Sequence, residues 1–213
     1  ICDGNTNQRY HTRFSIGKKD GLLSFHGAQF GVRDAVRYGF QVTDHSMARV
    51  STNSTVQEWT DILGVYKLSL PTPGALNEQV ALGSRGNLRF NEWAPSRGDD
   101  DDWFELYNAD TRPVSIGGLV FSDRSTNWMI MTNAWMAAGE FIQFICDDDA
   151  EDGIDHLPFK LTSAGMANVP PEWLRLYQTN TVNRTFVILH QAFWTNAVLG
   201  ESYGWLPDGN TND

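Results

Sequence analysis

Apolar and polar residues alternate in short runs along most of this 213-residue chain. A period of two marks a half-buried strand. The first third holds two such runs, Gly21-Leu-Leu-Ser-Phe-His26 and Val32-Arg-Asp-Ala-Val-Arg-Tyr38. Leu88–Trp93, Trp103–Asn108, Gly117–Asp123, Asn127–Met131 and Glu140–Cys146 follow between turn-rich segments, then Glu172–Tyr177 and Asn183–Leu189. Short strands at this spacing predict an all-β fold, an antiparallel β-sandwich. Thr132–Gly139 is too short for a helix and is flanked by loop residues. Apolar runs reach only about five residues, far below what a membrane-spanning helix needs.

The pattern recurs. Ile1-Cys-Asp3 matches Ile145-Cys-Asp147, and each is followed by a polar loop, a His and a Phe: His11 and Phe14, then His156 and Phe159. Gly21–His26 then matches Glu172–Tyr177, Val32–Tyr38 matches Asn183–Leu189, and Gln41 and Ser46 match Gln191 and Ser202. The spacing drifts from 144 residues to 156, which a loop insertion in the second copy explains. The chain thus reads as about one and a half tandem repeats. The first copy lacks its front half. The second has its front half over 81–144 and stops at Pro207-Asp-Gly209, before any counterpart of Glu58-Trp59. Two prolines in Pro71-Thr-Pro-Gly-Ala-Leu-Asn77 predict extended chain and a boundary there. The expected units are 1–77, a back half, and 78–213, a second sandwich. Ile1 does not open on a basic stretch followed by an apolar one, so no leader is read. The repeat phase instead predicts a natural product longer at both ends, or a polymer.

Composition separates the two units further. The net charge is −10, yet residues 1–77 carry eight Lys+Arg and six Asp+Glu, and residues 78–213 carry eight and twenty. An acidic chain is a poor phosphate-backbone binder, which argues against nucleic acid as a partner. Cys2 and Cys146 hold equivalent positions in separate copies, so they are expected apart rather than bridged, each a small buried strand residue.

The second copy resembles a lamin tail domain of the kind found in bacterial surface and secreted proteins. The resemblance rests on Leu88-Arg-Phe-Asn-Glu-Trp93, Asp102-Trp-Phe-Glu-Leu-Tyr-Asn108, Pro113–Asp123, Leu157-Pro-Phe-Lys-Leu-Thr-Ser163 with Trp173–Tyr177, and Ser202–Gly209. The first copy resembles the back half of another, through His11–Ile16, Val32–Arg49 and Pro71–Asn77. The resemblance implies an immunoglobulin-like sandwich acting as a non-catalytic module, here without the heptad coiled coil of a nuclear lamin. The Ala164–Glu172 segment and an insertion near Trp194–Glu201 depart from the family pattern.

Several residues could carry chemistry. Asp99, Asp100, Asp101 and Asp102 precede one strand; Asp147, Asp148 and Asp149, with Glu151, Asp152 and Asp155, follow another. Clustered loop carboxylates suit a structural Ca²⁺; the alternative is a solvated acidic loop that blunts strand edges. The spacing is not that of an EF-hand. Among the eight Trp, Trp103 and Trp173 lie within alternating strands and are expected in the core. Trp128, Trp135 and Trp194 lie near loops and are the expected stacking platforms for a sugar ring. Arg97-Gly-Asp99 is a chance-level adhesion triplet; Asn53-Ser-Thr55 and Asn183-Arg-Thr185 are glycan acceptors only in a secreted eukaryotic setting. The five His show no metal-ligand spacing, and no nucleophile elbow or phosphate-binding glycine loop occurs. The expectation is a non-enzymatic structural or interaction module, secreted or at the cell surface. It needs no cofactor and acts through protein partners or self-association, including filament formation, without nucleic acid or membrane insertion. The alternative is a carbohydrate-binding module beside a secreted enzyme.

Overall fold

Alternation becomes pairing in the computed structural model, which describes residues 1–2, 4–5, 7, 9–29, 31–49, 66–95, 98, 100–124, 126–130, 133–162, 171–180 and 183–210. The strands are β1 (Gly21–His26), β2 (Val32–Tyr38), β3 (Ser46–Arg49), β4 (Tyr66–Leu70), β5 (Glu78–Gln79), β6 (Leu88–Ala94), β7 (Asp102–Asn108) and β8 (Val114–Ser115). There follow β9 (Val120–Ser122), β10 (Asn127–Met129), β11 (Trp135–Met136), β12 (Phe141–Cys146), β13 (His156–Leu157), β14 (Glu172–Thr179), β15 (Phe186–Trp194) and β16 (Tyr203–Gly204). The helical content among the described residues is one 3₁₀ turn at Arg85–Asn87.

Two sheets form a β-sandwich. One has the order β13-β12-β7-β6-β16 and the other β10-β9-β14-β15. Alternation decides the inner face. Phe104 and Leu106 of β7, Ile142, Phe144 and Cys146 of β12, and Leu174 and Leu176 of β14 all point in. Phe121 of β9 crosses the gap, its ring 4.8 Å from Phe104 and 4.7 Å from Phe144, both edge-on. Edge-to-face rings add to the burial energy because a ring's positive rim meets a negative face. Phe90 joins them, 5.2 Å from Phe104.

The inner phase corrects two expectations. Trp103 and Trp173 take the outer positions of β7 and β14 and are half-buried. The Arg175 guanidinium lies 4.1 Å over the Trp173 ring. The strand expected at Asn183–Leu189 runs instead from Phe186 to Trp194. A tight turn occupies its front, with Arg184 N–H donating to Asn180 O at 2.8 Å and Asn180 N–H to Thr185 O at 2.7 Å.

Polar side chains fix the loops. Asn108, fully buried at the end of β7, donates from Nδ2 to Arg112 O (3.1 Å) and Ala137 O (2.7 Å), and its Oδ1 accepts from Asp110 N–H (3.0 Å). Asn91, the extra residue of a bulge in β6, grips the closing segment. Its backbone O accepts from Trp205 N–H (3.0 Å), its Oδ1 from Gly209 N–H (2.9 Å). A bulge turns one side chain out of the alternation, which frees Asn91 for this task. Gly209 has φ +71°, and a Cβ there would lie 2.7 Å from the Tyr107 ring.

The described part of residues 1–77 joins this body closely. Phe40 packs in the main core, its ring 5.7 Å from Phe144, and Trp135 N–H donates to Phe40 O at 2.9 Å. The sheet β3-β4-β5 spans the boundary expected at residue 77, and Val42, Leu68 and Trp135 form a second buried cluster under it. Both cysteines are free thiols; Cys146 is fully buried and Cys2 partly so.

Candidate functional site

The antiparallel pairing of β7 with β12 sets Cys146 opposite Asp102. It thereby brings the end of one acidic run beside the start of the other. Burial pushes the Cys146 thiol well up, and the charges of Asp102, Asp147 and Asp123 push it the same way. A buried thiol in a negative field is not a nucleophile.

The parallel pairing of β12 with β13 then folds the second run back on itself. It brings ligand atoms of Asp147, Asp152 and His156 within 4.8 Å of one another. His156 Nδ1 lies 2.5 Å from Asp147 Oδ2, and Asp149 N–H donates to the other Asp147 oxygen at 3.1 Å. Burial works against the Asp147 carboxylate, but these hydrogen bonds outweigh it and hold its pKa below the ordinary value. The same bond raises His156, with the nearby carboxylates adding to it. Of the calcium candidates, Asp147 enters this group. Asp148, Asp149, Asp100, Asp101 and Asp102 do not, and Asp99 lies outside the described residues. Asp149 Oδ1 accepts from Glu151 N–H (3.0 Å), and Asp155 pairs with Lys19. Two carboxylates and an imidazole depart from the all-oxygen shell that calcium takes. Asp152 and His156 escaped notice as partners because only the parallel pairing brings them to Asp147.

The tryptophans are placed otherwise than expected. Trp135 and Trp194 are 4% and 5% exposed. Trp194 Nε1 donates to Thr162 O at 2.8 Å. Neither ring presents a face to a sugar, and Trp128 is half-buried against the main core. An aromatic cleft of about 550 Å³ opens elsewhere, between the edge strands β15 and β16, lined by Trp93, Gln191, Phe193, Tyr203, Gly204 and Trp205. Trp93 stacks on Tyr203 with centroids 6.4 Å apart. The indole N–H groups of Trp93 and Trp205 are buried without an acceptor among the described residues. No single run of sequence announces this cleft, because β6, β15 and β16 each contribute to it. The Arg97 and Asp99 of the adhesion triplet and Asn53–Thr55 lie outside the described residues.

The third place is the hairpin β1–β2. Its register is that of β14–β15. Gly21 faces Tyr38 where Glu172 faces Trp194, and both hairpins slip register after the fifth pair, at Phe25/His26 and at Leu176/Tyr177. Leu23 and Phe25 thus stand where Leu174 and Leu176 stand. The latter two are 0% exposed; Leu23 is 40% and Phe25 68% exposed. In the second hairpin β9 pairs with β14; among the described residues β1 and β2 form a two-stranded sheet of their own. A further match lies upstream. Cys2 pairs in parallel with Thr12, as Cys146 does with Leu157. By this register, Val32–Tyr38 matches Ile188–Trp194 rather than Asn183–Leu189.

The chain matches no protein-family model and no curated protein. No helix among the described residues is long and apolar enough to cross a membrane.

Proposed function

We propose that the chain is a non-catalytic structural and interaction module of a secreted or cell-surface protein. It is built from lamin-tail-like sandwich repeats and works by packing and strand complementation. The observation that carries this reading is the hairpin β1–β2. It repeats the register and bulge of the β14–β15 hairpin, whose Leu174 and Leu176 are fully buried, yet leaves the matching Leu23 and Phe25 in water. Unpaired edges and uncovered apolar faces recruit other chains. The parallel bridge at Cys2 supports the tandem arrangement. The reading requires no catalytic group and no cofactor. Light scattering over a concentration series tests it. The chain self-associates, and Phe25→Glu returns it to monomer. A monomer at every concentration would overturn it.

A carbohydrate-binding reading has one observation in its favour, the cleft between β15 and β16 with its aromatic walls. Sugars stack on such rings. Binding on a glycan array that is lost in Trp205→Ala supports it; an array without binders removes it.

A further inference from the structure

Resting on the interaction reading, we propose the partner itself. The surface made by β1, β2 and the outer edge of β3 receives a front-half sandwich segment built like residues 78–144 of this chain.

Three features of the surface fit that one segment. The first is the edge of β1. In the second hairpin, β14 pairs with β9 through Arg175↔Ser122, Leu176↔Phe121 and Tyr177↔Val120. The shared register puts Ser24, Phe25 and His26 at those positions. A strand of β9 type laid along β1 sets a Phe121-type ring directly opposite Phe25, an aromatic cross-strand pair.

The second is the edge of β3. Tyr38 and Ser46 stand 156 residues before Trp194 and Ser202, so β3 is the counterpart of β16. Each uses the edge that the other leaves open. Trp205 N–H donates to Asn91 O of β6, so Tyr203 and Trp205 face β6 and Gly204 faces away. On the other side, Val80 N–H donates to Leu68 O, so Leu68 faces β5, and alternation turns Lys67 and Ser69 toward β3. Their partners Ser46 and Ala48 therefore bond to β4, while Met47 and Arg49 face outward. Those are the counterparts of Tyr203 and Trp205, which bind β6. The outer edge of β3 is thus in phase for a β6-type strand. Its Arg49 carbonyl is held at present by the Asn77 side-chain amide at 2.7 Å.

The third is an acceptor. Phe90 N–H of β6 donates to His190 Nδ1 of β15 at 3.1 Å. The counterpart of His190 is Asp34, whose carboxylate also accepts and now pairs with Arg49 at 2.6 Å. Charge agrees with the fit. Residues 78–144 carry ten Asp+Glu against five Lys+Arg, whereas residues 1–77 carry six against eight.

The test extends the full chain at its N-terminus with a second copy of residues 78–144, so that Phe144-Ile1-Cys2 reproduces Phe144-Ile145-Cys146. Amide hydrogen exchange is read at residues 22–26 and 47–49, with and without the extension. The extension slows exchange there on the order of a hundredfold, and Phe25→Glu in the extended chain removes the effect at residues 22–26. Two results overturn the proposal: an added segment protected in its own strands beside an unprotected hairpin, or protection that survives Phe25→Glu. If the added segment does not fold, a peptide of residues 116–124 is added to the unextended chain. Slowed exchange at residues 24–26 then supports the proposal, and none overturns it. An unextended chain that still self-associates through Phe25 while the extension fails refutes this partner and leaves the interaction reading standing. A monomeric unextended chain with a protected extended one does the reverse.

Discussion

Replacing Asn108 by Ala removes the polar hub that ties the loop after β7 to the loop between β11 and β12. Its three shortest side-chain hydrogen bonds are lost, to Ala137 O at 2.7 Å, to Arg112 O at 3.1 Å and from Asp110 N–H at 3.0 Å. Each hydrogen bond is worth about 1 kcal/mol net, and a buried group left bare costs about 1–3 kcal/mol. Arg112 sits at the surface and regains water, Asp110 is half-buried, and Asn108 itself is fully buried. The sum is about 3 kcal/mol. For a chain of this size that lowers Tm by roughly 6–12 °C. Urea unfolding followed by tryptophan emission measures it. The midpoint falls while the slope with denaturant stays constant, since the folded and unfolded surfaces are unchanged. Asn108→Asp is no rescue, because it keeps an acceptor for Asp110 N–H but loses both donors and buries a charge. A loss below about 1 kcal/mol in Asn108→Ala would refute the hub, since that is the worth of a single exposed hydrogen bond.

Three further outcomes follow from the packing and the charges. The pair Asp147–His156 contributes on the order of 1 kcal/mol. The His156 share is full below about pH 6.5 and is lost as pH rises through its raised pKa, and the Asp147 share is full above about pH 4 and is lost as pH falls through its lowered pKa. His156→Gln therefore removes the alkaline part of that slope in Tm against pH, and an unchanged slope would show the pair to be inert. Trp194→Phe loses its bond to Thr162 O and part of the core, about 2–3 kcal/mol, while Trp103→Phe on the outer face costs under about 1 kcal/mol. Equal losses by thermal melting would reverse the assignment of faces. Gly209→Ala must hold φ +71° and push on Tyr107, about 2 kcal/mol by denaturant midpoint. A neutral result would mean that the closing segment is not docked on Asn91.

Strand positions were legible because alternation leaves a direct trace. β1 and β2 coincide with their runs, and β6, β7 and β12 differ from theirs by a single residue at one end. The phase of alternation was not legible in β7 and β14. There both faces are apolar: Trp103 and Tyr107 oppose Phe104 and Leu106, and Trp173 and Tyr177 oppose Leu174 and Leu176. Counting apolar residues cannot choose between such faces; only the second sheet can. The two-residue strands β8 and β11 are shorter than any period, so nothing in the pattern marks them. The Asp147, Asp152 and His156 group depends on a parallel pairing of non-adjacent segments, and the aromatic cleft on three strands, neither of which a local pattern encodes.

The cleft and the open edges bear on one another. Gly204 of β16 faces away from β6 and lines the cleft, at the edge that its counterpart Ala48 uses to bind β4. A β4-type strand added to β16 would therefore run along the mouth of the cleft. Trp205 and Phe193, the aromatic groups a sugar would stack on, line that same cleft. Complementation at this end and carbohydrate binding thus compete for one surface. The hairpin end carries no such conflict. There the uncovered groups are aliphatic and aromatic side chains of an isolated two-stranded sheet, with a strand edge beside them in phase for pairing. A two-stranded sheet gains independent stability only by adding strands or a packed face. The first end thus has the stronger physical demand for a partner, and the interaction reading rests on it rather than on the cleft.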